Sequence, residues 1–214
     1  CPTTLIRKLC LSGVNLNLSN KIKSTILSRN NLLDGKKYNI ALNLSCDRLD
    51  QRAIKLEDFQ KLRLMLLDLI NEGHIINYLA HKDLDLQACK FIGDDIFNKV
   101  INISNLSTEK IIAEYKKMDI VFGGRGHSLM IPLGLRIPII SITTHNKQKF
   151  FMEDVGLEKF SVELSALTDY EINLKIKKLF PQIKDQFFLI DKYQNLGIKA
   201  WKNYIHIMNS YHKK

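Results

Sequence analysis

Cysteine pairs spaced as CxxC are missing from this sequence. Cys1, Cys10, Cys46 and Cys89 stand scattered, which excludes a zinc ribbon and offers no framework for a secreted disulfide scaffold. A reducing compartment is the simpler setting for such thiols. No apolar stretch approaches the roughly 18 residues of a membrane span, and no signal peptide opens the chain. HExxH and Asp-rich metal motifs are lacking, as are GxGxxG and the P-loop. There is no internal repeat and no low-complexity linker.

What is present describes a folded chain. With 45% hydrophobic and 25% charged residues over 214 positions, the sequence can bury a sizeable core as one large domain or two small ones. A net charge of +10 invites a nucleic-acid reading, but the surplus is unevenly placed. Residues 175–214 carry nine Lys and two Asp, and the preceding residues are close to balanced. The chain opens on Cys rather than Met, abruptly, and reads as a piece of something longer.

Six apolar, β-branched runs alternate with amphipathic stretches. They are Tyr38 to Ser45, His74 to Ala80, Lys99 to Ile103, Asp119 to Phe122, Ile137 to Ile142 and a weaker Lys159 to Val162. Nearly continuous hydrophobicity is the pattern of strands buried on both faces of a parallel sheet. Helices are predicted at Leu56 to Glu72 with Gly73 as a C-cap, Lys82 to Phe91, and Thr108 to Met118 with Ser107 as N-cap. Further helices are predicted at His127 to Leu135, kept brief by Pro132, at Asn146 to Val155 closed by Gly156, and from Thr168 onward with interruptions at Pro181 and Gly197. These βα units predict an α/β, Rossmann-like parallel sheet with helices on both faces. In the usual strand order 3-2-1-4-5-6, the ligand crevice lies beyond the carboxyl ends of the first and fourth strands.

The loop after the fourth strand is Gly123-Gly124-Arg125-Gly126-His127-Ser128, running into a helix. Glycines permit close backbone approach, a helix N-terminus favours an anion, Arg125 adds a fork for carboxylate or phosphate, and His127 can exchange a proton near neutral pH. The alternative is a tight turn whose glycines serve geometry alone. Arg48, in Ser45-Cys46-Asp47-Arg48 after the first strand, faces the same crevice or is a surface residue. Cys46 lacks an adjacent base and reads as structural. His81 of His81-Lys82-Asp83 follows the second strand, and His145 and Lys147 follow the fifth; both loops suit a sugar hydroxyl or a phosphate without being specific.

The stretch Asp119 to Leu157 resembles the C-terminal half of the polysaccharide pyruvyl transferase family. Its Arg-x-His motif matches Arg125 and His127, its next strand matches Arg136 to Ile140, and its following helix matches Lys147, Phe151 and Gly156. Arg136 or Leu135 replaces an expected small residue, and Gly126 stands where a larger apolar residue is expected. The opening Cys-Pro-Thr-Thr is similar to a segment near that family's domain junction. The resemblance implies the C-terminal domain of a two-domain transferase of the GT-B type, with residues 1–37 as junction and lead-in, 38–180 as the Rossmann-like catalytic half and 181–214 as a basic amphipathic helical segment. The N-terminal domain would be missing.

The implied reaction transfers pyruvate from phosphoenolpyruvate to a sugar of a cell-surface polysaccharide, forming a ketal, with no cofactor and no metal. Arg125, aided by Arg48, would hold the donor's carboxylate or phosphate. The backbone from Gly124 through Gly126 to Ser128 would neutralise phosphate charge, and His127 would act as acid and base. His81, His145 and Lys147 would complete the substrate site. Replacing Arg125 or His127 by Ala is then expected to abolish transfer and leave the fold intact. The partners implied are phosphoenolpyruvate and a glycan or lipid-linked acceptor, in the cytoplasm, with peripheral contact at the inner membrane face through the basic tail; nucleic acid is not expected. A glycosyltransferase using a sugar nucleotide and a non-catalytic sugar-binding domain are the alternatives.

Overall fold

In a computed structural model that describes residues 37–47 and 54–191, the six apolar runs are six strands of one sheet. They are β1 (Asn39–Asn43), β2 (Ile75–Ala80), β3 (Lys99–Asn102), β4 (Ile120–Gly123), β5 (Ile139–Thr143) and β6 (Ser161–Glu163). Every neighbouring pair is parallel and the order is β3-β2-β1-β4-β5-β6. The expected Rossmann-like fold and its reversal point between β1 and β4 are therefore observed. Register carries Ile40 opposite both Ile76 and Ile120, and Leu42 opposite both Tyr78 and Phe122, so the two central pairs bring their largest side chains into line.

The helices α1 (Leu56–Asn71), α2 (Asp85–Ile92), α3 (Thr108–Lys116), α4 (Gly126–Gly134), α5 (Asn146–Asp154) and α6 (Asp169–Leu179) cover both faces. α1 packs on α2 and α6; α3 packs on α4, and α4 on α5. The heptad-like stripe Phe59, Leu62, Met65, Leu66 and Leu69 of α1 is buried, each such side chain stabilising the fold by about 1.5–3 kcal/mol on transfer from water. Ser107 caps α3 as predicted, its hydroxyl accepting from the Lys110 N–H at 3.4 Å.

Three helices end in the same way. The N–H of His74 reaches back to the Leu69 carbonyl, that of Leu157 to Met152 and that of Ile137 to Pro132, and the residues before them turn left-handed at Gly73 (φ 91°), Gly156 (φ 70°) and Arg136 (φ 61°). This is the Schellman ending, for which glycine is preferred. Arg136 is the exception, and its guanidinium pairs with Asp191.

The predicted start of α2 at Lys82 is displaced to Asp85, because the Asp85 carboxylate takes the N–H groups of His81 and Lys82 at 3.0 and 3.2 Å and stops the turn from extending backward. Past α6, Phe180 packs on Tyr38, His74 and Phe122. The buried Gln186 then holds the first peptide of β5, accepting from the Ile139 N–H at 3.0 Å and donating to its carbonyl at 2.8 Å. Residues 181–191 thus lie on the body. The junction segment and most of the basic tail lie outside the described residues.

Candidate functional site

β4 ends in Gly123, and Gly124 and Arg125 lead directly into α4. A Cβ on Gly123 would stand 2.6 Å from the Leu129 side chain and 2.9 Å from the Ser128 carbonyl. One on Gly124 would stand 2.5 Å from Leu44 and 2.8 Å from the Asn43 carbonyl. The two glycines therefore let the strand end close against its own helix on one side and against β1 on the other. The Gly124 N–H donates to the Asn43 carbonyl at 2.7 Å, so that amide is already committed. Gly126 is different: its added Cβ would meet nothing nearer than Met130 at 4.0 Å, and it opens a helical turn whose N–H groups lack intrahelical partners. The buried Ser128 closes that turn, its hydroxyl accepting from the Arg125 N–H at 3.0 Å and donating to the Arg125 carbonyl at 2.8 Å.

The Arg125 side chain is 12% exposed and has an inward partner. Its Nε lies 3.0 and 2.9 Å from the two Asp85 oxygens, and Nη2 lies 2.6 Å from Oδ1. Asp85 is fully buried and also accepts from the His81 and Lys82 amides and from Asn43 Nδ2 at 3.3 Å. One carboxylate thereby ties together the end of β1 and the loops after β2 and β4. A second carboxylate, Asp47, approaches Nη2 at 3.2 Å and Lys82 Nζ at 3.7 Å, with its other oxygen on the Ser45 hydroxyl. Burial disfavours the Arg125 charge, but the hydrogen bonds and charges of Asp85 and Asp47 outweigh it and hold its pKa above the ordinary arginine value. Removing Arg125 would leave the buried Asp85 charge without its main partner, so replacing it by Ala is expected to cost stability as well as to change the site.

His81 and His127 come together at the same mouth. His127 is exposed in the first turn of α4. The His81 Nε2 lies 2.5 Å from the hydroxyl of Tyr115, whose ring is buried beneath it. Burial, with His127 and Arg125 close by, pushes the His81 pKa down to about 4, so its imidazole is neutral near pH 7. Burial holds the Tyr115 phenol well above its usual range, so a neutral hydroxyl and a neutral imidazole share this contact; when Nε2 accepts, the ring proton stands on Nδ1.

His145 and Lys147 lie elsewhere along the edge, both exposed at the start of α5. The His145 Nδ1 accepts from the Lys147 N–H at 3.1 Å, so the imidazole caps this helix. Among the described residues no hydrogen bond or ion pair joins either of them to the Arg125 cluster. Arg48 lies outside the described residues. Cys46 and Cys89 are both buried.

Asp85 escaped the sequence reading although a signal existed. Asp85, Ala88, Cys89 and Ile92 fall on one helical stripe, and all four are buried. An acidic residue heading an apolar stripe requires a cation or several donors, and the Arg125 loop supplies the cation.

The model of the family described as polysaccharide pyruvyl transferase matches residues 6–146, a span that includes the loops after β1, β2 and β4. No curated protein matches. Among solved structures, an O-GlcNAc transferase mutant from Thermobaculum terrenum is similar at a TM-score of 0.41 and 11% identity. The likeness covers 79% of this chain and 37% of that one, so the chain spans well under half the length of that protein.

Proposed function

The chain belongs to the polysaccharide pyruvyl transferase family, and from that premise we propose that it transfers pyruvate from phosphoenolpyruvate to two hydroxyls of a sugar in a cell-surface polysaccharide. The observation that carries this reading is an exposed imidazole, His127, beside a guanidinium fixed by a buried carboxylate, at the sheet's reversal point. The pair offers a mobile proton next to a fixed positive charge, which is what addition to an enol phosphate requires.

In the first step His127 gives a proton to the methylene carbon while a sugar oxygen bonds to the neighbouring carbon. In the second, the bond from that carbon to the phosphate oxygen breaks, a second sugar oxygen takes its place and inorganic phosphate leaves. Of the two hydroxyl protons, one restores the imidazole for the proton spent on the methylene and the other leaves with the phosphate. Arg125, held by Asp85, contributes a fixed charge rather than a free fork, and the first-turn N–H groups from Gly126 to Ser128 add the helix dipole's partial charge. The neutral His81 would offer its Nδ1–H to a substrate oxygen. Arg48, His145 and Lys147 remain proposed contacts to the donor or acceptor, the acceptor being a glycan or lipid-linked sugar.

Under this reading the chain is the C-terminal half of a GT-B-type enzyme, completed by an N-terminal domain, and acts in the cytoplasm at the inner membrane face. Among the described residues no helix is long and apolar enough to cross a membrane. The test is a thermal-shift titration, since a ligand that binds only the folded state raises the melting point. Stabilisation by phosphoenolpyruvate supports the reading; stabilisation by nucleotide sugars alone overturns it. In the enzyme with its N-terminal domain, His127→Ala is expected to stop acceptor-dependent phosphate release, and unchanged turnover removes His127 from the chemistry.

A further inference from the structure

We propose that Asp47 is an internal competitor for an anion subsite formed by Lys82 and Arg125, so that the anionic group of a ligand displaces its carboxylate. The inference deepens the donor-binding reading above and rests on it for the identity of the ligand, though not for the existence of the subsite.

One carboxylate oxygen marks the place. Asp47 Oδ2 lies 3.2 Å from Arg125 Nη2 and 3.7 Å from Lys82 Nζ, so two cations from two different loops converge on one oxygen. Arg125 does not need this oxygen for neutralisation, because Asp85 already meets it at 2.6–3.0 Å in full burial. The two carboxylates therefore differ in kind. Asp85 is a permanent counter-ion holding the end of β1 and two loops, whereas Asp47 is longer-range, 22% exposed, and paired with a lysine that is 61% exposed.

Geometry also lets Asp47 leave. Its Oδ1 is held by the Ser45 hydroxyl, so displacing Oδ2 from the two cations does not strip the carboxylate of that partner. The site lies just past the carboxyl end of β1, beside β2 and β4, where an open α/β sheet places its ligands. A carboxylate or a phosphate monoester oxygen reaching the Oδ2 position would gain both cations. Lys82 thereby becomes a binding residue for the anion, acting as a flexible point charge, and Arg125 acts through the Nη2 that Asp47 releases.

This arrangement makes an unusual prediction of sign. Removing an acidic residue that is only a structural partner weakens a protein and leaves its ligands alone or loosens them. Removing a competitor tightens them. We would titrate phosphoenolpyruvate and, separately, inorganic phosphate into the full chain by calorimetry, with wild type, Asp47→Asn, Lys82→Ala and the double variant at one pH and two salt concentrations. Asp47→Asn is expected to tighten both anions roughly three- to tenfold, the scale of a partly exposed ion pair, and more at low salt than at high. Lys82→Ala is expected to weaken both by a similar factor and to shrink the gain from Asp47→Asn.

Unchanged or weaker binding in Asp47→Asn overturns the proposal, as does unchanged affinity in Lys82→Ala, whose side chain is exposed enough that the variant folds. If inorganic phosphate follows the pattern and phosphoenolpyruvate binds to no variant, the subsite stands and the donor reading fails. If phosphoenolpyruvate binds equally to every variant, the donor reading stands and the competitor is overturned. Absence of anion binding to all four proteins overturns both.

Discussion

Asp85→Asn is the substitution that asks most of the site. The change is nearly isosteric, yet it removes the negative charge that meets Nε and Nη2 of Arg125 and puts an amide where at least one oxygen had accepted. Asp85 is fully buried and Arg125 is 12% exposed. Breaking such a pair by removing one member costs about 3–5 kcal/mol, because the other charge stays behind in poor solvent. Asp47, at 3.2 Å from Nη2, compensates in part, which favours the lower end, about 3 kcal/mol. In a chain of this length each kcal/mol moves the melting temperature by roughly 2–4 °C, so the expected fall is about 6–12 °C at neutral pH. The assay is thermal and urea unfolding followed by circular dichroism, in a double-mutant cycle. Arg125→Gln alone should cost a similar amount, since it leaves Asp85 bare. The double variant should then lose about 2–3 kcal/mol less than the sum, because no unpaired charge remains. Additive losses, or a fall under about 1 kcal/mol for Asp85→Asn, would refute the argument that these groups are held by each other. The same reasoning makes Arg125→Lys a better probe of chemistry than Arg125→Ala.

Two further perturbations follow from the same edge of the sheet. Gly124→Ala should destabilise by about 1–3 kcal/mol, because its Cβ would fall 2.8 Å from the Asn43 carbonyl and the backbone must yield, while Gly126→Ala, with open space, should change stability by less than about 1 kcal/mol; equal urea midpoints for the two variants would contradict this division of labour. His81 gives a pH dependence whose sign is fixed. Its folded pKa of about 4 lies below the ordinary 6.5, so the unfolded chain binds the extra proton in that window and stability falls as pH drops from 6.5 toward 4. Between pH 7 and 5 the loss is roughly 2 kcal/mol, and His81→Gln, which keeps a partner for Tyr115, should remove that part of the slope. An unchanged slope would show that His81 is not held neutral.

How far the sequence could be read depended on the range of the forces involved. Buried strands announce themselves locally: Ile139, Ile140 and Ile142 are apolar because both faces of β5 are covered, and all residues of the strand, Ser141 among them, are buried. Topology followed, since parallel neighbours need long crossovers. The site was half legible. Glycines before a helix, with Arg125 and His127, marked the place, but the pairing of Arg125 with Asp85 joins residues 40 apart in sequence, and no local pattern states which carboxylate a buried arginine will meet. Gly124 and Gly126 look alike as letters and differ only in what stands beside them. Arg136 was conspicuous in sequence as a departure from an expected small residue; its left-handed backbone and its pair with Asp191 give that departure a place in the helix ending without explaining why arginine stands there.

The grip of Gln186 on Ile139 turns one backbone amide into a reporter. Hydrogen exchange at most β5 positions requires neighbouring strands to separate. At Ile139 the N–H is held by a side chain from the segment after α6, so its exchange rate reads the undocking of that segment, at a lower free energy than opening of the sheet. A single protected proton would thus measure how firmly residues 181–191 are seated, and a change in its rate on adding a ligand or a second domain would sense that event from the opposite end of the strand.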